Sequence, residues 1–244
     1  MKKLYQKDET WFAVLWIVLY VVLFQNADNI SNSIAFPKLI TAPVGLILSA
    51  VLYGFIRKNG LTTYYGLCSF KGDKKAYLYF LPLVILCSTN LWRGVTMNYT
   101  IISSILHVVS MCCVGFLEEV IFRGLLFNGM RKENEKTAIV VSSLTFGIGH
   151  IVNLLSGAEL LSTLLQVGYA TAIGFLFTVM FLKSGSLIPC IVAHAVINSL
   201  SAFAREGTEL FNTVTAIVIM VIATLYAIHI WKTVPTQEKT TPSV

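Results

Sequence analysis

The segment 101–128 reads IISSILHVVSMCCVGFLEEVIFRGLLFN and decides the fold, because it is apolar and long enough to cross a bilayer as a helix. Within it, Glu118, Glu119 and Arg123 place three charges in six residues. A charge at the bilayer centre costs about 2.5–3.5 kcal/mol on insertion scales, so such charges usually pair, face a cavity or take part in chemistry. The segment therefore predicts a membrane helix that also carries a functional site.

The rest of the chain has the same apolar character. Of its 244 residues, 56% are hydrophobic and 12% are charged, whereas about 25% of an average soluble domain is charged. We therefore predict an all-α, polytopic membrane protein with about eight transmembrane helices. The apolar segments that predict them are 11–24, 37–56, 76–91, 101–128, 137–155, 160–182, 186–204 and 210–231.

Basic residues are distributed unevenly over the predicted loops, and this asymmetry predicts that both termini are cytoplasmic. With that orientation, three basic residues face outward, namely Lys38, Arg93 and Arg205. Fourteen face inward, namely Lys2, Lys3, Lys7, Arg57, Lys58, Lys71, Lys74, Lys75, Arg131, Lys132, Lys136, Lys183, Lys232 and Lys239. Topology thus accounts for the net charge of +6, and we expect no nucleic-acid partner. We also expect an uncleaved first helix, because no small-residue cleavage site follows it.

The polar groups concentrate in the middle of the chain. We predict helices 1–3 within residues 1–100, a chemically active core at 101–204, a final helix within 205–231 and a disordered polar tail at 232–244.

The two adjacent glutamates are not equivalent on a helix. Glu119 and Arg123 are four residues apart and lie on one face, whereas Glu118 points about 100° away. Arg123 can neutralise Glu119 through a bidentate contact, which leaves Glu118 without a partner on its own helix. Burial beside a second acid favours a role for Glu118 as a general base. The alternative is an architectural Glu-Arg pair with a spare, neutral glutamic acid.

Two histidines recur at comparable depth in other predicted helices. Phe146 and His150 are four residues apart, as are His194 and Asn198, so each pair shares a helix face. A single histidine in such a position more often makes a hydrogen bond between helices and has no catalytic role. Together with the carboxylates they indicate one shared site, and Gly147 and Gly149 would let the helices approach closely.

These three motifs, Glu-Glu-x-x-x-Arg, Phe-x-x-x-His and His-x-x-x-Asn, resemble those of the CPBP family of intramembrane proteases (CAAX protease and bacteriocin-processing, also called Abi). This family includes the type II CAAX prenyl endopeptidases. The resemblance covers about 101–204. It implies a multi-pass protein of a bacterial cell membrane that cleaves peptides and acts in peptide maturation or bacteriocin immunity.

The resemblance also implies roles for individual residues. Glu118 would deprotonate a water that His150 positions, and Glu119 with Arg123 would orient Glu118. His194 and Asn198 would donate hydrogen bonds to the developing oxyanion. From the topology, we expect the partners to be a hydrophobic or lipidated peptide near the cytoplasmic leaflet and the membrane lipid itself.

A cofactor stays an open question at this point. The family is commonly described as metalloproteases, and Glu118, His150 and His194 could bind Zn²⁺ as a His₂Glu set. The His-Glu-x-x-His signature of soluble zinc proteases is absent, and an oxyanion role explains Asn198 better than a metal site does. We therefore favour a mechanism without a metal, with zinc as the alternative.

Two other functions compete with proteolysis. Intramembrane Glu, His and Arg residues could form the proton or ion path of a transporter, although that class usually shows broken spans and internal repeats. A non-enzymatic immunity or scaffold protein could also keep the same fold, usually with loss of a motif residue.

Overall fold

The structure is a computed structural model that describes residues 2–236, without the side chain of residue 156. Within this range the chain is helical and forms no β-strand, apart from one isolated bridge between Val95 and Ala204. The α-helices are α1 (Lys2–Lys7), α2 (Glu9–Ser33), α3 (Thr41–Lys58), α4 (Leu81–Ser88), α5 (Ile101–Glu118), α6 (Asn128–Arg131), α7 (Glu135–Gly149), α8 (Leu160–Ser184), α9 (Ile188–Leu200) and α10 (Glu209–Thr233). The prediction of an all-helical protein is confirmed over these residues.

Six of the predicted spans correspond to helices that are long and apolar enough to cross a membrane. These are Glu9–Ser33, Thr41–Lys58, Ile101–Arg131, Glu135–Leu155, Leu160–Ser184 and Glu209–Thr233. The third and seventh predicted spans coincide with shorter apolar helices, Leu78–Leu91 and Ile188–Phe203. Helices of that length fall short of the roughly 20 residues that cross a hydrocarbon core, so the count of eight stays a prediction.

Polar caps fix where several of these helices begin. The side chains of Asp8, Thr100, Asn134 and Thr208 accept hydrogen bonds from backbone N–H groups in the first turns of α2, α5, α7 and α10. Such caps satisfy donors that the helix itself cannot. At the other end, α10 continues to Thr233 and includes the start of the predicted tail, while residues 237–244 lie outside the described range. The predicted division of the chain at residues 100 and 204 stays a prediction.

The helix that carries the charged hexapeptide changes its winding midway. After Glu118, residues Glu119–Phe127 form a π-helix before α6 resumes α geometry, and all nine of these residues are buried. Short π segments in α-helices often occur at functional sites. The carbonyl of Phe122 accepts a hydrogen bond from the Ser142 hydroxyl at 2.9 Å, which ties this segment to α7. Sequence spacing alone predicts an ordinary α-helix here and misses this change.

Two apolar clusters form the interior of the bundle. One lies between α2, α3, the π segment, α7 and α8, with Phe12, Trp16 and Phe127 among its largest buried side chains. The other lies between α4, α8, α9 and α10 and includes Phe177 and Tyr226. Large apolar side chains also cover the outer faces of the long helices, as expected for a surface that faces lipid.

The two glycines expected to allow close helix packing differ in what surrounds them. A Cβ on Gly147 would overlap Thr171 Oγ1 and lie 2.8 Å from the Val167 carbonyl on α8, so this close approach is confirmed. A Cβ on Gly149 would meet no atom within 4 Å, so the expectation for Gly149 is wrong. The difference arises because Gly149 borders a cavity, described below.

Candidate active site

The Glu119–Arg123 pair forms as the spacing predicts, and it is completely buried. Arg123 Nη1 donates to Glu119 Oε1 at 3.1 Å, and both side chains are 0% exposed. This is one contact, so the expectation of a bidentate pair is wrong. The guanidinium also lies over two aromatic rings, with its Cζ 4.1 Å from the ring centre of Phe146 and 5.8 Å from that of Phe177. The negative faces of these rings attract the cation and add to its contact with the carboxylate.

Glu118 has a different environment from its neighbour. Its Oε1 accepts a hydrogen bond of 2.6 Å from the hydroxyl of Tyr20 on α2. Its Oε2 is buried and, within the described residues, has no hydrogen-bond partner, although His194 Nε2 lies 3.5 Å away. One oxygen of Glu118 is therefore held and the other is left available to a small molecule.

His194 lies between the two glutamates. Its Nδ1 is 2.8 Å from Glu119 Oε1, and its Nε2 is 3.5 Å from Glu118 Oε2. The side chains thus form a continuous chain of contacts, which runs from Arg123 through Glu119, His194 and Glu118 to Tyr20. One imidazole thus connects the two carboxylates in a single network of polar contacts.

His150 lies at the end of its helix, not well inside it as the sequence suggests. The α geometry of α7 ends at Gly149, and His150 begins a 3₁₀ segment, His150–Ser156. Its Nδ1 is 3.0 Å from the carbonyl oxygen of Phe146. Because a carbonyl only accepts hydrogen bonds, Nδ1 carries the proton, and in the neutral ring Nε2 is a hydrogen-bond acceptor. The ring of Phe146 meets His150 edge-on at 5.3 Å and His194 at 5.7 Å, which places it against both imidazoles.

Asn198 follows His194 by one turn on α9. Its backbone carbonyl accepts a 2.6 Å hydrogen bond from the Ser201 hydroxyl and lies 3.2 Å from His107 Nε2 on α5. The structure thus brings Glu118, Glu119, Arg123 and His194 into direct contact and sets Asn198 one turn beyond them.

A cavity of about 180 Å³ opens beside Glu118. Glu118 and His150 both line this cavity, so the structure places these two predicted site residues around the same space. The lining residues are Tyr20, Val21, Phe24, Gln25, Asp28, Glu118, Phe122, Phe146, Gly149, His150, Val152 and Asn153.

Two polar residues near the site were missed by sequence reasoning. Tyr20 lies in the first apolar span, where a tyrosine gives no sign of function. Its role becomes visible only because α2 packs against Glu118 in the structure. His107 lies in the same apolar segment as Glu118, so a count of intramembrane histidines would have found it. Its ring stacks against Tyr99 at 5.6 Å and contacts the Ser201 hydroxyl at 3.1 Å, which anchors the end of α9 to α5.

The side chains present do not match a metal centre. Among residues 2–236, no three His, Cys, Asp or Glu side chains are grouped so that they could hold a metal ion, and this includes Glu118, His150 and His194. His194 directs Nδ1 to Glu119, and His150 directs Nδ1 to its own helix. The chemistry considered below therefore routes no step through a metal.

Close packing of α5 on α9 sets the position of His194, and this leads to a prediction. A Cβ on Gly115 would lie 2.8 Å from the backbone nitrogen of Ala195, beside His194. Gly115→Ala should push α9 away and lower peptide cleavage at least tenfold. Gly124→Ala, on the same continuous helix, is the matched control, because its Cβ would meet only side chains at 3.6 Å or more. Equal activity of the two variants would contradict this account.

Comparison with known proteins bears on the segment that carries the site. Residues 100–200 match the family described as Rce1-like, type II CAAX prenyl endopeptidase. No curated protein and no solved structure matches the chain. The matched residues contain all three motifs and all six predicted site residues. The match and the long apolar helices indicate a multi-pass integral membrane protein whose residues 100–200 are similar to the Rce1-like family of CAAX proteases.

Proposed function

We propose that the chain is an intramembrane endopeptidase in which Glu118 activates a water molecule. The observation that carries this proposal is the asymmetry of Glu118: Tyr20 holds Oε1, while Oε2 is buried, unpartnered among the described residues and next to the cavity. A carboxylate oxygen in that position can take a proton from a water in the cavity.

The first chemical step uses Glu118 and His150. Water bound between Glu118 Oε2 and His150 Nε2 loses a proton to Glu118 as its oxygen attacks the carbonyl carbon of the scissile peptide bond. His150 accepts the water's second hydrogen bond, because its own proton lies on Nδ1. The proton held by Glu118 then passes to the leaving amine as the C–N bond breaks, so Glu118 returns to its starting state.

The developing oxyanion requires donors that are already in position. We propose His194 Nε2 and the side-chain amide of Asn198 for this role. An imidazole that donates from Nδ1 to Glu119 can also donate from Nε2 only when it is doubly protonated. Both ring nitrogens of His194 face carboxylate oxygens, with Nδ1 2.8 Å from Glu119 Oε1 and Nε2 3.5 Å from Glu118 Oε2.

Glu119 and Arg123 are proposed to orient the site. Glu119 Oε1 contacts both Arg123 and His194, so it fixes the imidazole while Arg123 balances its charge. Neither side chain is exposed, which keeps this arrangement away from lipid and water.

The proposed substrate is a hydrophobic or lipidated peptide bound within the membrane. The cavity wall offers apolar groups such as Val21, Phe24 and Val152. The family description names prenyl endopeptidases, and a role in peptide maturation or bacteriocin immunity is compatible with this chemistry. No step requires a nucleic acid.

We also propose eight membrane segments with both termini in the cytoplasm. The charge asymmetry described above supports this orientation. The short helices Leu78–Leu91 and Ile188–Phe203 would be the third and seventh segments. The side chains of Arg57, Lys58 and Lys132 then mark the cytoplasmic face.

A direct test is cleavage of defined peptides by the purified protein in detergent. We expect new peptide termini, detected by mass spectrometry, from a farnesylated CAAX-type peptide or a hydrophobic peptide of the same length without the lipid. If neither peptide is cut by protein that remains folded, the proposed activity is wrong for these substrate classes.

The same assay tests the metal question. Because no step above uses a metal, activity should stay within about twofold after dialysis against a strong chelator, with less than stoichiometric zinc by elemental analysis. Loss of activity that returns on adding Zn²⁺ alone would show that a metal is required.

A further inference from the structure

The two proposed oxyanion donors, His194 and Asn198, both lie on α9. This helix has thirteen residues, Ile188–Leu200, and it packs against α5. An oxyanion donor acts because it is already in position when the negative charge develops. The way in which α9 is held in place therefore matters to the proposed reaction as much as the side chains that it carries.

The middle of α9 is fixed on α5 by a polar contact and by a close approach of the two backbones. His194 Nδ1 lies 2.8 Å from Glu119 Oε1, and a Cβ on Gly115 would lie 2.8 Å from the backbone nitrogen of Ala195. Both contacts precede Asn198 along α9. The last turn of the helix, which carries Asn198, is held by other residues.

One of these residues is His107, which lies on α5. Its Nε2 is 3.2 Å from the backbone carbonyl oxygen of Asn198 and 3.1 Å from the Ser201 hydroxyl. Because a carbonyl only accepts hydrogen bonds, Nε2 carries a proton and donates it to Asn198. His107 is buried, and its ring stacks on that of Tyr99 with 26° between the two planes. The imidazole is thus held in the direction of α9.

The other residue is Asn90, in the 3₁₀ turn Thr89–Leu91 that follows α4. Its Nδ2 donates to the backbone carbonyl of Ile197 at 2.6 Å. The last carbonyls of an α-helix lack regular partners within the helix, so donors from other elements stabilise this end. Asn90 supplies such a donor from the side of α4, and His107 supplies one from the side of α5.

The two carbonyls that receive these hydrogen bonds lie on either side of one Cα atom. The carbonyl of Ile197 belongs to the peptide group before the Cα of Asn198, and the carbonyl of Asn198 belongs to the peptide group after it. Each of the two peptide groups is therefore bound by a side chain from a different element. Together they fix the direction in which the side chain of Asn198 leaves the helix.

Neither Asn90 nor His107 has an assigned place in the reaction. Neither belongs to the three motifs, and Asn90 lies outside the residues that match the family. Neither side chain is among those that line the cavity beside Glu118. Any effect of these residues on peptide cleavage must then act through the residues that they hold.

We propose that Asn90 and His107 are positioning residues, which hold the two peptide groups around Asn198 so that its amide points at the developing oxyanion. This inference rests on the proposed function, because it assigns the two residues to the oxyanion site of that reaction. It extends the site to a turn after α4 and to the outer part of α5.

The first test replaces the donor on α5. His107→Leu keeps an apolar side chain in the buried position and removes the N–H group. It should lower kcat by about tenfold, less than the roughly 10²–10³-fold loss from deleting an oxyanion donor, because Asn198 is displaced and not removed. KM should change less than about twofold, since the oxyanion exists only in the transition state.

His107→Gln should restore kcat to within about threefold of the unsubstituted protein. Glutamine Nε2 is separated from Cβ by the same number of bonds as histidine Nε2, and it also donates. The matched control is His229→Leu, because His229 Nε2 also lies 3.2 Å from a backbone carbonyl, that of Ala76, but away from α9. This control should keep kcat within about twofold, and a loss equal to that of His107→Leu would contradict the proposal.

A double variant separates positioning from general damage to the fold. If His107 acts through Asn198, His107→Leu should lower kcat by less than about twofold in a protein that already carries Asn198→Ala. The same tenfold loss in both backgrounds would overturn the positioning role. If His107→Leu does not fold, Asn90→Leu is compared in the same two backgrounds, with the same two outcomes.

Hydrogen exchange measured by mass spectrometry tests the anchor without any peptide cleavage. Backbone amides of residues 199–203 should exchange at least fivefold faster in His107→Leu than in His229→Leu. Unchanged exchange would refute the anchor. Faster exchange in a protein that cuts no peptide even when unsubstituted would instead refute the proposed function and leave the anchor in place, so the two failures are distinguishable.

Discussion

Glu118→Gln should reduce kcat for peptide cleavage by about 10²–10⁴-fold, the contribution expected of a general base. Glutamine has nearly the same shape, and its carbonyl oxygen can still accept the hydrogen bond from Tyr20. It cannot take a proton from water, so the defect should lie in kcat with little change in KM. The measurement is steady-state cleavage of the peptide established for the unsubstituted protein.

The control for this variant is Glu133→Gln, which removes an exposed carboxylate from the loop between α6 and α7. It should retain activity within about twofold. Thermal unfolding in detergent should show that Glu118→Gln is at least as stable as the starting protein, because a buried charge with one unpartnered oxygen has been removed. Full turnover by Glu118→Gln would rule out the proposed base.

Arg123→Met should destabilise the protein by about 3–5 kcal/mol, the usual result of removing one member of a buried ion pair. Methionine fills much of the same volume, but it leaves Glu119 as a buried carboxylate. The contacts of the guanidinium with Phe146 and Phe177 are lost as well. Glu119 retains its contact with His194, which places the expected loss towards the lower end of this range.

A double variant can distinguish two causes of this destabilisation, the uncompensated charge of Glu119 and the loss of packing around Arg123. If the uncompensated charge is the cause, Glu119→Gln combined with Arg123→Met should be more stable than Arg123→Met alone. Chemical denaturation in detergent would compare the free energies of unfolding. A double variant less stable than Arg123→Met would show that packing, and not charge, dominates.

The parts of the fold that follow from local pattern could be predicted from the sequence. Long apolar runs predict the six long helices, because hydrophobic length alone decides whether a segment can span a bilayer. Spacing of four residues predicts the contacts of Glu119 with Arg123 and of Phe146 with His150, because such residues are neighbours on one helix.

Contacts between helices could not be predicted in the same way. The spacing of residues on α2 does not predict that Tyr20 contacts Glu118, because that contact depends on how two separate helices pack. Gly147 and Gly149 look alike in the sequence, yet one contacts α8 and the other borders the cavity. The proposed roles of Asn198 and His150 depend on such packing and stay predictions until activity is measured.

The π segment Glu119–Phe127 has a consequence for how the site is oriented. Because a π-helix has a wider turn than an α-helix, it changes the direction in which side chains point on either side of it, here between Glu118 and the end of the helix at Arg131. The π segment packs against α2 and α7, while Glu118 points towards Tyr20 and the cavity. The change in winding therefore falls where this helix passes from presenting Glu118 to the cavity to packing into the apolar core.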